Sequence, residues 1–306
     1  MRISICIATH RRPARLGELL ADLQDQSLVP FEVVVVDNDI AGSAGATVAR
    51  ARLCHPPYPI GYEIQSERNI SITRNRTVQR AAGDWMAFID DDERATPNWL
   101  DELARRAVRS QADGVQGPVV PVLPPNAPAW IRRGAFYNWA RMPSGAQVPL
   151  NKLRFGNLLL RASLLRSMAA PFDPSYGLTG GEDGDLLGRL VAQGAHVVWC
   201  DEAVVREPIE ARRLSFRWLM LRALRGGQDF ARHSLAGRYG DVTLQRRLGL
   251  LARALVQSAI ALALTVLVWP FGRHYAAHWL LRASANIGKL SLLVGWHYRE
   301  YAGTAK

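Results

Sequence analysis

The chain is predicted to be an α/β protein built on a doubly wound, mostly parallel sheet, with a C-terminal basic, apolar helical extension. Three observations carry this expectation. Strand and helix patterns alternate from the first residue to about residue 110; the strand patterns are continuous apolar runs ending in carboxylates; and the last third of the chain holds all of the net charge. Alternation of this kind gives a parallel sheet with right-handed crossovers. Uninterrupted apolar strands are expected where both faces of such a sheet are covered. The 306 residues, 48% apolar and 21% charged, suffice for one large or two modest domains. The expected division is an α/β domain over 1–210 and a helical, membrane-associating region over 211–306.

The first strand pattern, Ile3 to Ala8, ends at Thr9 and leads through a polar loop to a helix on which Leu16, Leu19, Leu20 and Leu23 recur at helical spacing. Phe31 to Val36 is the second strand and ends in Asp37-Asn38-Asp39. Ala44 to Leu53 reads as a helix, Gly61 to Gln65 as a weak strand and Ile70 to Ala81 as a helix. Trp85 to Ile89 is then a short buried strand, bounded by a Gly-Asp turn signal before it and by Asp90, Asp91, Asp92 and Glu93 after it. A helix from Pro97 to about Ser110 and a strand near Val115 follow. Pro118 to Pro149 contains seven prolines and reads as a long irregular connection. Gly156 to Leu165 suggests another strand, and Gly180-Gly181 a tight turn before a helix with Leu186, Leu187, Leu190 and Val191 on one face.

From Arg212 the chain becomes helical and basic, with an expected helix end near Gly226-Gly227. Residues 1–202 carry 22 Lys plus Arg against 22 Asp plus Glu, whereas 203–306 carry 16 against 5. Localised basicity beside apolar helices fits an anionic membrane surface, and no docking motif or stacking pattern points to nucleic acid. Ala254 to Gly272 has no charged side chain over 19 residues, enough to span a bilayer. Pro270 to Gly272 breaks the pattern, and Arg282 and Lys289 interrupt the second apolar helix, where full insertion is costly. The reading is monotopic or single-span, with Trp269, Trp279 and Trp296 as interfacial anchors. Cys6, Cys54 and Cys200 lack metal-site spacing and suit a reducing compartment. The N-terminal apolar run is too short for a secretory signal, so the catalytic part is expected at the cytoplasmic face of the inner membrane.

Four adjacent carboxylates at a strand's carboxyl end repel one another unless a hard cation or hydrogen-bond donors accept them. Oxygen ligands of this kind suit Mg2+ or Mn2+. The carboxyl edge of an open α/β sheet is also where ligands bind.

With those residues in view, the chain resembles a family 2 glycosyltransferase with a GT-A fold. It is most similar to bacterial exopolysaccharide transferases of the kind that extend succinoglycan on a lipid carrier. Four segments match in order, ICIATHRRP, VVVVDND, GDWMAFIDDDE and GLTGGEDGDLLGRL, and the basic segment RRLSFRWLMLRALRGGQDFAR extends the likeness to about residue 232. The resemblance implies an inverting, metal-dependent transfer of one sugar from a nucleotide sugar, such as a UDP-sugar, to a lipid-linked polyprenyl-type acceptor. It implies that Thr9 and Asp37 hold the nucleotide base, that Asp90 and Asp92 are the DxD pair with Asp92 on the metal, and that Arg74 reaches the donor phosphates. It makes Asp183 the general base and gives Glu182 the task of orienting the acceptor. Two departures stand out. Leu214 replaces the Gln of the Gln-x-x-Arg-Trp motif of processive members, and Glu207 stands where many relatives place a metal-binding His. Asp37 also suits a helix cap, and Asp90 an acceptor of backbone N–H groups. A membrane-bound sugar-nucleotide sensor or scaffold without turnover is an alternative. A sugar nucleotidyltransferase is another, although ATHRRPARLGEL lacks the glycines of a phosphate loop.

Overall fold

The computed structural model describes residues 1–301 and divides the chain into two compact units. Unit 1 comprises Met1–Val120, Trp139–Pro208 and Tyr301; unit 2 comprises Pro121–Asn138 and Ile209–Glu300.

Unit 1 begins with β1 (Ile3–Thr9), α1 (Pro13–Gln24), β2 (Glu32–Asp37), α2 (Gly45–Leu53), β3 (Ile60–Ile64), α3 (Ile70–Arg80) and β4 (Trp85–Phe88). There follow β5 (Arg94–Ala95), α4 (Trp99–Ser110), β6 (Gly114–Gln116) and, where the chain passes toward unit 2, β7 (Val119–Val122) and α5 (Ala129–Gly134). Back in unit 1 are β8 (Leu158–Arg161), α6 (Ala162–Arg166), α7 (Glu182–Ala192), β9 (Val197–Trp199) and β10 (Val205–Pro208). The stretch 118–149 read as irregular therefore holds a short strand and a short helix, both too brief for periodicity to reveal.

Among the described residues, a seven-stranded sheet runs β3-β2-β1-β4-β8-β6-β9. β1 is parallel to β2 and β4, β2 to β3, and β6 to β9, while β8 is antiparallel to both of its neighbours. Alternation along the strands sorts side chains into two cores, one on each face. Ile3, Ile5, Ile7, Val33, Val35 and Ala87 join the leucines of α1 and the Trp99, Leu100 and Leu103 of α4 in one. Cys6, Val34, Val36, Met86, Phe88, Leu158 and Leu160 join Leu186, Leu187 and Leu190 of α7 in the other. Coverage of both faces explains why these strands carry no polar alternation. Asn157, 1% exposed, locks the middle of the unit, donating to the Pro118 and Ala203 carbonyls at 2.9 and 2.7 Å and accepting the Trp99 indole N–H at 2.7 Å.

Unit 2 contains α5 together with α8 (Phe216–Leu235), α9 (Leu244–Val268) and α10 (Arg273–Ser291). Ile131, Tyr137, Ile209 and Leu219 form its buried apolar cluster. The helix expected to end near Gly226-Gly227 instead runs on to Leu235. The reason is close packing: a Cβ on Gly227 would stand 1.8 Å from the Ala285 carbonyl oxygen of α10, so the glycine permits backbone proximity and does not mark a terminus. α9 turns small residues inward, Ala254, Ser258, Ala261 and Thr265, and large ones outward, among them Leu255, Ile260, Val266 and Leu267. Leu244–Phe271 is long and apolar enough to cross a membrane, with a mean hydropathy of 2.0 and only 22% of its most apolar stretch buried. The break at 270–272 is a single 3-10 turn, Trp269–Phe271, before α10.

Candidate active site

Because β1, β2 and β4 are parallel neighbours, their carboxyl ends open on one edge. Thr9 is the register partner of Asp37, and β4 delivers the acidic run 90–93 beside them. Three of its four members are far from solvated: Asp91, Asp92 and Glu93 are 4, 6 and 4% exposed. Asp91 accepts the Thr9 hydroxyl at 2.7 Å and the Arg12 guanidinium at 2.8 Å, and the same Arg12 nitrogen lies 3.1 Å from Asp92. Thr9 therefore orients an acidic side chain in this arrangement. Arg12 is a site residue that the motifs do not single out, although its place in the loop directly after β1 is a signal for it.

The second half of the site is built on α3. Asn69 caps that helix, accepting the Ile72 N–H at 3.1 Å, and so fixes the turn that carries Arg74. Arg74 donates to Glu182 at 2.6 Å and to Asp90 at 3.3 Å. Its guanidinium carbon lies 4.6 Å from the centroid of Phe155, which packs edge-on against Phe172 at 5.2 Å and tilted against Phe88 at 4.6 Å. Arg74 and Glu182 are nearly buried, at 11 and 3% side-chain exposure, whereas the Asp90 side chain is 46% exposed. Asp183 follows Glu182 in the first turn of α7, and its carboxylate accepts the Gly184 N–H at 2.7 Å. Gly180 and Gly181, with φ of +83° and +94°, make the left-handed turn that starts this helix.

The cluster's proton affinities report its crowding. Burial raises the Asp91 carboxyl to about 6, with Arg12 opposing and Asp92 adding to the rise. Burial likewise raises Asp90, against the pull of Arg74, and Asp92 and Asp183 push it further. Glu93 stands well above the ordinary carboxylate range through burial and the charges of Asp90 and Asp92. Carboxylate oxygens crowded at one sheet edge are hard donors, so Asp90 and Asp92, with Glu93 behind them, suit a hard divalent ion by donor chemistry. Among the described residues, the grouping whose ligand atoms all lie within 4.8 Å of one another is a different one, Glu102, Cys200 and Glu202. It is a poorer donor set: burial raises the Cys200 thiol, and Ser144 and Arg106 already engage Glu202.

Asp37 is fully buried, and both oxygens are engaged by its own loop. It accepts the Asp39 N–H at 3.0 Å, the Ala44 N–H at 2.8 Å and the Tyr62 hydroxyl at 3.0 Å. Asn38 beside it donates to the Gln65 and Glu67 carbonyls and accepts the Asn69 N–H at 3.1 Å. The Ile70 N–H in turn meets the Gly177 carbonyl at 3.1 Å. This chain of bonds ties the loop after β2, the start of α3 and the segment before α7 into one frame. Arg74, Asp90 and Glu182 are thus in direct contact, Asp183 acts on both Arg74 and Asp90 through its charge, and Thr9 and Asp92 are joined through Asp91 and Arg12. Asp37 stands apart as the keystone of its loop.

Comparison with known proteins shows the family and the fold. Residues 4–165 match the family model described as glycosyl transferase family 2, and residues 85–290 match that of glycosyl transferase family group 2. The chain is 33% identical to the succinoglycan biosynthesis protein ExoM of Rhizobium meliloti, over 99% of this chain and 96% of that protein. It is 35% identical to an uncharacterized glycosyltransferase, YwdF, of Bacillus subtilis over 34% of this chain and 38% of the other. Among solved structures, a mannosyltransferase of Pyrobaculum calidifontis in complex with GDP-Man and Mn2+ aligns with a TM-score of 0.65 at 19% identity, over 95% of this chain and 87% of that one. The TarS protein of S. aureus in complex with UDP aligns at 0.55 and 17%, over 98 and 93%. At such identities these two likenesses show the fold.

Proposed function

Since the chain belongs to glycosyl transferase family 2 and is therefore a glycosyltransferase using a nucleotide sugar, we propose that it transfers one sugar, with inversion, from a UDP-sugar to a lipid-linked acceptor in exopolysaccharide synthesis. The observation that carries the reading is the carboxylate cluster at the sheet edge, three of its four members buried, with Arg74 bonded to Asp90 and the charge of Asp183 acting on the same carboxylate. The likeness to a succinoglycan biosynthesis protein over nearly the whole chain supports the role in exopolysaccharide synthesis.

In this proposal Asp92 and Asp90 hold Mg2+ or Mn2+, which when bound supplies Lewis-acid stabilisation of the leaving diphosphate. Arg74, kept cationic by Glu182 and Asp90, faces the same phosphates and adds a charge-assisted donor. Glu182, with one oxygen on Arg74 and almost no exposure, acts by fixing that guanidinium. Asp183 is only partly buried and takes the proton of the attacking hydroxyl as the new bond to carbon forms. One base is enough for inversion, because retention by double displacement needs a carboxylate nucleophile on the opposite face. Asp37 serves the base pocket by holding the 38–44 loop, with Thr9 setting the rotamer of Asp91. Unit 2 meets an anionic bilayer at the cytoplasmic face through the outward side chains of α9, with Arg246, Arg247 and Arg253 at headgroup level.

The test is incubation of the purified protein with UDP-glucose, UDP-galactose, UDP-GlcNAc and GDP-mannose, with and without Mn2+ and a membrane glycolipid extract. Release of nucleoside diphosphate that depends on metal and is accelerated by extract is expected. Binding of a nucleotide sugar without release under any condition would instead favour the sensor reading.

A further inference from the structure

The turn that introduces the proposed base has a neighbour from the far end of the chain. Tyr301 follows α10 in sequence yet belongs to unit 1, where its backbone N–H donates to the Leu178 carbonyl at 3.0 Å. Its ring edge lies 3.5 Å from the position a Cβ on Gly180 would take, so the ring lies against the Gly180-Gly181 turn two residues ahead of Glu182. In its ionised form the phenol would also act on Arg74, after Glu182, Asp90 and Asp183, which puts the ring near the same constellation. Tyr301 is only partly buried. A ring held by its backbone against a glycine turn, and still partly open to solvent beside the site, is placed for ligand contact more than for core packing.

We propose that Tyr301 is a positioning residue that walls the acceptor subsite, its ring packing against the pyranose that presents the attacking hydroxyl beside Asp183. The chemistry fits a carbohydrate: an aromatic ring offers a flat apolar face for the C–H face of a sugar and a hydroxyl for one of its edges. The acceptor side is indicated because the turn leads directly into Glu182 and Asp183, whereas the carboxylates assigned to the donor's metal lie at the end of β4. The inference rests on the reading of Asp183 as base. It adds that the acceptor wall is delivered by the stretch of chain that follows the apolar helices.

The experiment uses full-length Tyr301→Ala and Tyr301→Phe, the nucleotide sugar that the wild type hydrolyses, and a chloroform–methanol glycolipid extract of the source organism's membranes as the acceptor probe. Tyr301→Ala is expected to raise the extract concentration giving half-maximal transfer about tenfold, a loss of about 1.4 kcal/mol. Tyr301→Phe should raise it about two- to threefold by the same scale, and both should leave donor KM and hydrolysis by water within about twofold of wild type. An unchanged half-saturation in Tyr301→Ala overturns the proposal. So does a joint fall of hydrolysis, transfer and melting temperature, which marks a tether of the chain end. Failure of the base reading is separable, since it shows as full transfer by Asp183→Asn.

Discussion

Replacing Arg74 by Met keeps most of the side chain's length against Phe155 but removes the guanidinium from Glu182, whose side chain is 3% exposed. Taking one partner out of a buried ion pair costs about 3–5 kcal/mol, because the other charge stays desolvated. The second partner, Asp90, is 46% exposed and adds little after solvent screening, which favours the lower part of that range, about 3–4 kcal/mol. For a unit of this size each kcal/mol moves the melting temperature by about 2–4 °C, so a drop of roughly 6–16 °C is expected. The assay is thermal unfolding of four proteins: wild type, Arg74→Met, Glu182→Gln and the double variant. Since the loss comes from stranding a charge, Glu182→Gln should rescue Arg74→Met, with an interaction energy of about 2–3 kcal/mol across the cycle. Transfer should remain abolished in the rescued protein. A wild-type melting temperature for Arg74→Met, or strictly additive losses in the double variant, would refute the argument.

Asp92→Asn should abolish the metal-stimulated part of nucleoside diphosphate release and weaken donor binding only when metal is present, measured by calorimetry with and without Mn2+. Asp183→Asn should keep donor affinity and lower transfer about 100-fold or more, the usual contribution of a positioned base; a collapse of donor affinity would point to a structural role. In α8, a Cβ added to Gly226 would meet no described atom of another element within 4 Å, so Gly226→Ala should stabilise by about 0.5–1 kcal/mol. Gly227→Ala should destabilise unit 2 by about 1–3 kcal/mol through overlap with Ala285; urea unfolding separates the two. Leu255→Asp with Val266→Asp, at positions 59 and 77% exposed, should leave folding intact while cutting flotation with anionic vesicles more than tenfold, at about 2.5 kcal/mol or more per charge in the bilayer.

The first half of unit 1 is legible in the sequence because its strands are covered on both faces and so announce themselves as apolar runs; β1, β2, β4 and the leucine face of α1 all follow that rule. The direction of β8 is not, since Leu158 to Leu160 reads the same in either orientation and pairing is decided by residues far away in sequence. Strands as short as β5, β9 and β10 carry no period at all. In the site, Asp90 and Glu182 come together from two separate motifs, and Arg74 joins them from the helix between VVVVDND and GDWMAFIDDDE. The engagement of Asp37 by its own loop is a matter of backbone geometry that no motif encodes. Arg12 stands in plain view within a matched segment, while Tyr301 has no local signal, its meaning arising only from a contact 123 residues away.

The interleaving of the two units has a consequence for how the protein is made. Residues 121–138 of unit 2 leave the ribosome well before their partners in α8 and α10, and the strands β8 and β9 that complete the sheet of unit 1 are synthesised in between. At roughly 5–20 residues per second, α5 waits on the order of 10–30 s for α10. During that interval Ile131, fully buried in the finished protein, waits first for Ile209 and Leu219 and last for Leu281 of α10 to complete its cover. The sheet and the helical unit therefore cannot be built strictly one after the other, and no single cut in the chain yields either of them whole. Slow elongation through 139–208 would lengthen the exposure of α5, making this the stage of synthesis at which misassembly of the helical unit has its best opportunity.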